Sequence, residues 1–254
     1  LASSAASDVY KRQINAALDR EEPDLVVYSG DQIWGRGFHG DVNQVRRVLK
    51  ELTAPVVERH LPFAICFGNH DRQVGLDNRA QFEIYKEIPG FIGEDTPGVD
   101  GVGNYTVAVE NRRGAVTQAL FFTDTGSYVD GDYLGFMWKY DGMHKNQMDW
   151  YRGEVEALTA HNRVLGAPMP KSLMFFHIPI AQYKPAWESY KENGYKDNGE
   201  VQVHYGGIGE KGGLFPSLHP DNVFDTLQQV GSTRGTFCCL LYTSDAADEA
   251  RSVD

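Results

Sequence analysis

The chain has 254 residues, of which 41% are hydrophobic, and carries a formal net charge of −11 with three cysteines. This length allows one substantial buried core. The acidic balance argues against a nucleic-acid-binding patch or non-specific binding to anionic membranes. No apolar run approaches the roughly 20 residues that a membrane span needs, and so few cysteines do not make a disulfide framework.

The two ends of the chain are predicted to be translated sequencing adapter. Residues 3–13 can be encoded by DNA whose reverse complement, read one base out of frame, encodes residues 239–248. Two peptides at opposite ends of a protein should not share one duplex by chance, so we assign 1–13 and 239–254 to the adapter and exclude both from fold reasoning. The disfavoured alternative is a genuine helical N-terminus and a genuine acidic tail. One partial domain, 14–238, remains, and localisation stays open because a signal peptide would lie upstream of it.

The first half of this domain is predicted to alternate between strands and helices. Short apolar runs that end on glycine are typical of strands, and apolar residues three and four positions apart are typical of helices. Asp41 is a candidate N-cap for one such helix. In chain order, the predicted elements are the end of a helix at 14–22, a strand at 25–29, a helix after Asp41, a strand at 62–67 and a helix at 78–88. This order favours right-handed crossovers and a largely parallel sheet.

The second half begins with two segments that are predicted to pair as antiparallel strands through a glycine-containing turn. A long stretch between His177 and residue 215 is rich in aromatic residues and glycine and shows no clear periodicity. The predicted elements are strands at 104–110 and 118–123, a helix at 147–161, a strand at 172–176 and a helix at 221–230. Since the sequence contains neither repeats nor a linker, we expect a single domain.

Three of the predicted strands end on side chains of metal-binding types. One ends at Asp31, one at Asn69-His70-Asp71, and one at His177. The carboxyl ends of strands are where α/β sheets place their ligand sites, and a divalent ion takes carboxylate, amide and neutral imidazole ligands. Two such ions suit in-line displacement at phosphorus by a metal-bound hydroxide. In that reading Asp31, Asn69 and His177 bind metal, His70 assists the chemistry as a donor, and Asp71 orients the loop.

Each of these residues also has a simpler interpretation. Gly30-Asp31 alone is a common turn, and His177 could be a hydrogen-bonded core histidine. Gly68-Asn69-His70-Asp71 is harder to dismiss, because three consecutive polar side chains at the end of a buried strand cost free energy without partners. The combination therefore favours a functional site. His39 and His204 are weaker candidates for the cleft and fit surface loops better.

These motifs resemble those of the calcineurin-like metallophosphoesterases, above all the purple-acid-phosphatase-like and Dcr2-type branch. The matching segments are Gly30-Asp31, Gly68-Asn69-His70-Asp71 and Phe175-Phe-His-Ile-Pro179, and the resemblance covers essentially all of 14–238. It implies a four-layer α/β/β/α sandwich around two metal ions, divalent or trivalent Mn, Fe or Zn, and a phosphate-ester substrate. It also implies that Asp31 bridges the two ions, that Asn69 and His177 ligate the second ion, and that secretion or export to the periplasm is compatible with the family.

The sequence departs from the family pattern at its ends. The family begins with an Asp-x-His motif and ends with Gly-His-x-His, and both positions fall in the segments assigned to adapter. The fragment is therefore expected to bind metal poorly and to be inactive, whereas its parent gene is expected to encode an enzyme. The alternative is a non-catalytic binding module on the same fold. The substrate, the metal and the oligomeric state cannot be read from the sequence.

Overall fold

The computed structural model describes residues 4–33, 40–129, 140–204, 214, 216–217 and 222–239. Within these residues the chain forms six α-helices and six β-strands in two sheets. The helices are α1 Ser4–Glu21, α2 Val42–Glu58, α3 Asn78–Lys86, α4 Lys145–Val164, α5 Tyr183–Glu192 and α6 Val223–Val230. The strands are β1 Val26–Ser29, β2 Phe63–Cys66, β3 Tyr105–Glu110, β4 Val116–Phe122, β5 Lys171–Phe175 and β6 Thr233–Phe237. A short 3₁₀ helix, Asp71–Val74, follows β2.

The sheet topology confirms the two predicted halves. β1 and β2 form a parallel pair, as the alternation of strands and helices favours. In the second sheet the strand order is β3-β4-β5-β6. β3 and β4 are antiparallel, as predicted, whereas β4, β5 and β6 run parallel to one another. The carboxyl ends of β4 and β5 therefore lie at the same edge of this sheet.

The alternation of side chains along β4 shows how the layers are stacked. Leu120 and Phe122 pack in one core with the β1–β2 sheet and helices α2 and α3. Ala119 and Phe121 point to the other face of the sheet and pack with α4 and α6. Successive residues of a strand face opposite sides of its sheet, so the order is helix, sheet, sheet, helix. This is the predicted four-layer α/β/β/α arrangement.

A row of stacked aromatic rings crosses the second sheet and fixes its register. The centroid distances are 4.6 Å from Tyr105 to Phe122, 5.1 Å from Phe122 to Phe175 and 4.9 Å from Phe175 to Phe237. The hydroxyl of Tyr105 accepts a hydrogen bond from the backbone N–H of Ile65 at 2.9 Å and donates to its carbonyl at 2.8 Å. Cross-strand pairs of this kind stabilise sheets, and this row also ties the second sheet to β2.

Helix α2 begins where the sequence predicts. The Asp41 side chain accepts hydrogen bonds from the N–H groups of Asn43 and Gln44, and the Gln44 side chain accepts the backbone N–H of Asp41 in return. Three backbone N–H groups that the helix leaves unsatisfied are thus paired, two of them in the reciprocal bonds of a capping box.

Two features of the fold were not predicted. Helix α5 lies in the stretch judged to have no periodicity, and none of its residues is buried. Strand β6, Thr233–Phe237, follows α6 directly, in a stretch where the sequence predicts no element. Helix α1 extends into the segment assigned to adapter. A helix there fits either origin, so the boundary at residue 13 stays a prediction. In the described ranges, no helix is long and apolar enough to cross a membrane.

Candidate metal centre

Asp31, Asn69 and His177 meet where strands of the two sheets end. The Nε2 atom of His177 lies 3.0 Å from Oδ1 of Asn69 and 3.1 Å from Oδ2 of Asp31. His177 and Asn69 are fully buried, and the Asp31 side chain is 12% exposed. His177, which lies 108 positions from Asn69 in the chain, is thus brought to the loops that carry Asp31 and Asn69, and three potential ligand atoms surround one point.

The other ring nitrogen of His177 determines what Nε2 can do. Nδ1 lies 3.0 Å from the carbonyl oxygen of Ser29. A carbonyl only accepts, so Nδ1 carries a proton, and in the neutral ring Nε2 then presents a lone pair. This lone pair faces two oxygen atoms that are also acceptors. Such an arrangement needs either a second proton on the ring or a cation between the three atoms.

The charge state of His177 reflects this competition. Burial lowers the pKa of His177, but the hydrogen bond and charge of Asp31, together with the carbonyl of Ser29, outweigh it and leave the pKa above its ordinary value. Oδ2 of Asp31 is buried, and no described residue gives it a hydrogen bond of good geometry. An orphaned carboxylate oxygen beside an imidazole and an amide oxygen fits a divalent ion.

The backbone around Asp31 is shaped by two glycines. A Cβ atom on Gly30 would lie 2.2 Å from Nδ1 of His177, and Gly30 has a φ of +107°. A Cβ atom on Gly68 would lie 2.2 Å from Oδ1 of Asp31. Asp31 itself has a φ of +54°, a left-handed conformation that is uncommon for residues with side chains. The two glycines therefore allow the ligand-bearing loops to touch.

Asp71 holds the two loops together. Its carboxylate accepts backbone N–H groups from Asp31 at 2.9 Å, Ile33 at 2.9 Å and Gly68 at 2.7 Å. Burial, followed by the charge of Asp31, raises the pKa of Asp71 to about 7, although the N–H groups of Gly68 and Ile33 and the nearby His177 act in the opposite direction. These contacts are those of a residue that orients the loop, which is the role suggested by the sequence.

His70 lies next to this cluster. Its backbone N–H donates to Oδ1 of Asp31 at 2.9 Å, and its Nδ1 lies 2.8 Å from Oε1 of Gln73. The side chain is half-buried, and its role in the chemistry stays a prediction. His204 is exposed, and His39 lies outside the described residues.

The sequence did not identify one further group of contacts, which comes from the loop after β4. Nδ2 of Asn69 donates to the hydroxyl of Tyr128 at 3.1 Å, and the hydroxyl of Ser127 donates to the carbonyl of Asn69 at 2.9 Å. The backbone N–H of Ile178 donates to Oγ1 of Thr125 at 3.0 Å. Only the topology of the sheet could have indicated this loop. β4 runs parallel to β5, so the loop after β4 begins at the same edge as His177.

A cluster of three or more His, Cys, Asp or Glu side chains suited to a metal ion does not occur in the part of the chain that the structure describes. The set around His177 contains two such residues, and its third member is an amide. The arrangement of Asp31, Asn69 and His177 is thus a partial ligand set.

The sequence family follows from a comparison with family models. The model for calcineurin-like phosphoesterases matches residues 6–207. The chain belongs to the calcineurin-like phosphoesterase family. This confirms the family that the motifs at Asp31, Asn69 and His177 suggested, and it supports a phosphoric ester hydrolase as the general class of the protein.

Individual relatives in this phosphoesterase family point to the predicted branch. The chain is 27% identical over 184 residues to "Probable inactive purple acid phosphatase 14" of Arabidopsis thaliana, a match that covers 67% of this chain and 45% of the relative. It is 30% identical over 179 residues to "Phosphatase DCR2" of Saccharomyces cerevisiae, which covers 67% of this chain and 29% of the relative. The chain thus spans less than half the length of these relatives.

Proposed function

We propose that the protein is a metal-dependent phosphoesterase that hydrolyses a phosphate mono- or diester. The observation that carries this proposal is the convergence of Nε2 of His177 with acceptor oxygens of Asp31 and Asn69 while Nδ1 is committed to the carbonyl of Ser29. Within a phosphoesterase family, a metal ion is the natural way to satisfy three acceptors that face one another.

The proposed ligands follow from these contacts and from the family resemblance. Asp31 would bridge two ions of Mn, Fe or Zn, and Asn69 and His177 would hold the second. When bound, such ions polarise phosphate oxygens and lower the pKa of a water molecule. Asp71 keeps Asp31 in place through the three N–H groups that it accepts.

His70 is proposed to act on the leaving group. Its backbone is anchored on Asp31 and its Nδ1 on Gln73, so the ring is held beside the ligand-bearing loop. An imidazole so placed can donate a hydrogen bond or a proton to the oxygen that departs from phosphorus.

A cavity of about 350 Å³ has Arg72, Gly126 and His144 among its lining residues. Arg72 follows Asp71 directly in the chain, and Gly126 precedes Ser127, which contacts Asn69. Neither the three proposed ligands nor His70 line this cavity, so it could receive only a part of the ester that lies away from the metal ions.

The second candidate is a binding module that uses the same fold without turnover. It is favoured by the names of two relatives, "Probable inactive purple acid phosphatase 14" and "Probable inactive purple acid phosphatase 28" of Arabidopsis thaliana. The second of these is 27% identical over 194 residues, a match that covers 69% of this chain and 46% of the relative. Both names describe those proteins as inactive.

The test is His177→Ala, measured as metal affinity and as turnover. Calorimetry with Zn²⁺ and Mn²⁺ on the chain completed from the source DNA on both sides of 14–238 gives affinity. Hydrolysis of p-nitrophenyl phosphate and bis-p-nitrophenyl phosphate by the same completed chain gives turnover. We expect metal affinity to fall at least about 10-fold, and turnover to fall with it.

His161→Ala serves as the matched control, because the exposed His161 ring lies 2.8 Å from a turn carbonyl, that of Gly114, and away from the candidate centre. It should leave both quantities unchanged. If the His177 variant keeps metal and turnover, the metal centre is wrongly assigned. If the completed wild type binds metal but hydrolyses neither ester, the binding module is the better description.

A further inference from the structure

The Asn69 side chain is the one proposed ligand whose two ends are chemically different. Its Oδ1 faces Nε2 of His177 at 3.0 Å, and its Nδ2 donates to the hydroxyl of Tyr128 at 3.1 Å. Half a turn about the terminal bond would exchange the two ends. Only the observed orientation offers an oxygen to a cation.

Because Asn69 is buried, the loss of the hydrogen bond from its Nδ2 would affect the side chain strongly. Asn69 is fully buried, and a buried N–H group needs an acceptor. If the Tyr128 hydroxyl were removed, the amide could recover a hydrogen bond by turning Nδ2 toward the carboxylate of Asp31 and Nε2 of His177. That rotation would fill the cation position with N–H groups and remove an oxygen ligand.

Tyr128 is itself held in place. Its ring stacks on Tyr140 with a centroid distance of 5.4 Å and an interplanar angle of 25°, and the two residues form an antiparallel bridge. The preceding residue, Ser127, donates its hydroxyl to the carbonyl of Asn69. The loop after β4 therefore forms hydrogen bonds with both the backbone and the side chain of Asn69.

We propose that Tyr128 is a positioning residue that supports the metal-ligating orientation of the Asn69 amide by accepting its Nδ2–H, which leaves the amide oxygen directed toward the metal. This inference rests on the proposed metal centre. Tyr128 acts through Asn69 and is not itself a ligand. Partners behind a metal ligand commonly change metal affinity 10- to 100-fold when removed.

The experiment compares Tyr128→Phe with the wild type, both in the chain completed from the source DNA on both sides of 14–238. Zn²⁺ affinity is measured by calorimetry, and Co²⁺ bound in place of Zn²⁺ reports the ligand set through its visible absorption. We expect Tyr128→Phe to weaken Zn²⁺ binding about 10-fold and to change the Co²⁺ spectrum. In the metal-free wild type, one Asn69 side-chain N–H should exchange slowly with solvent, as measured by NMR, whether or not the variant folds.

Tyr151→Phe is the matched control. The Tyr151 hydroxyl also makes a buried hydrogen bond, to Oγ1 of Thr233 at 2.8 Å, but it lies in the core beneath α4. It should lower stability without changing metal affinity. Equal loss of metal affinity in the two variants would mean that Tyr128 acts only through general stability.

A variant of Asn69 separates the effect of Tyr128 on the orientation of the amide from its effect on packing. In Asn69→Asp both ends of the side chain are oxygen atoms, so no orientation has to be chosen. Adding Tyr128→Phe to Asn69→Asp should therefore weaken Zn²⁺ binding much less than adding it to the wild type, as a double-mutant cycle would show. An equal effect in both backgrounds would overturn the proposal.

Different results would contradict the metal centre and the positioning role of Tyr128. Absence of Zn²⁺ binding by the wild type, or binding that His177→Ala does not change, would remove the metal centre and the positioning role together. Binding that depends on His177 but not on Tyr128 would remove the positioning role alone.

Discussion

Two clusters in this protein combine one histidine with two aspartates, and they behave differently. In the surface cluster, Nδ1 of His144 lies 2.8 Å from Asp100 and Nε2 lies 3.2 Å from Asp141. The His144 side chain is 38% exposed. In the buried cluster of Asp31, Asp71 and His177, the histidine is fully buried and only one of its nitrogens faces a carboxylate.

The two clusters differ in the atoms that face the ring nitrogens of the histidine. Both nitrogens of His144 face carboxylates, so a second proton on the ring satisfies the surface cluster completely. His177 gives one nitrogen to a backbone carbonyl, and the other shares its position with two oxygens. The same residue types thus form an ion pair at the surface and an incomplete coordination site in the interior.

The largest expected effect comes from removing an aspartate from each cluster. Asp71→Ala would leave three N–H groups without their acceptor, and we expect unfolding free energy to fall by on the order of 3–5 kcal/mol. Asp100→Ala at the surface should cost less than about 1 kcal/mol. Urea unfolding of the two variants measures the difference. Similar losses would show that the three N–H bonds to Asp71 are not what stabilises the buried cluster.

A smaller effect is expected from adding a methyl group at Gly68. Because the new Cβ would overlap the backbone nitrogen of Asp31 at 2.3 Å, Gly68→Ala should cost about 1–3 kcal/mol. Gly153→Ala is the matched control, since this glycine lies within α4 and its Cβ would meet nothing within 4 Å. That change should stabilise the protein by about 0.5–1 kcal/mol. Thermal unfolding that shifts in the same direction for both would contradict the close approach of the two loops.

The smallest effect concerns the pH dependence of the surface cluster. Burial lowers the pKa of His144, but the hydrogen bonds that its ring donates to the carboxylates of Asp100 and Asp141 raise it more, so the net pKa lies above its ordinary value. A raised pKa means that the cluster contributes its full stability below the unfolded pKa of roughly 6.5 and loses it as pH rises through the folded pKa.

His144→Gln should remove this part of the pH dependence. Urea midpoints of wild type and variant should differ most at about pH 5.5 and converge by about pH 8.5. A constant difference across that range would mean that the charge of His144 contributes nothing to stability.

Much of the framework could be predicted because it rests on local patterns. The strands that lead to Asp31 and Asn69 are short apolar runs with a glycine at the end, and the Asp41 cap is visible in the sequence. Their convergence followed from the rule that parallel strands end at one edge. Whether the residues at that edge bind metal remains a prediction.

The unpredicted parts depend on contacts that leave no local pattern. Helix α5 has no buried face, and its Trp187 and Tyr190 rings pack on each other at 5.5 Å, so no core-facing periodicity marks it. Tyr128 reaches Asn69 across 59 residues of chain. Tyr128 lies in the loop after β4, and the direction of a side chain in a loop is decided by the tertiary structure.

The bonds from His177 to Asn69 and Ser29 have a consequence for how the protein folds. They join residues 108 and 148 positions apart and connect one sheet to the other. Contacts of such long range close large loops, and the entropy of closing them makes their formation slow. Each sheet can pair its own strands before these bonds exist, but the ligand atoms meet only once the sheets have docked. Metal binding would then report the last stage of folding, and a chain with native secondary structure could still lack its site.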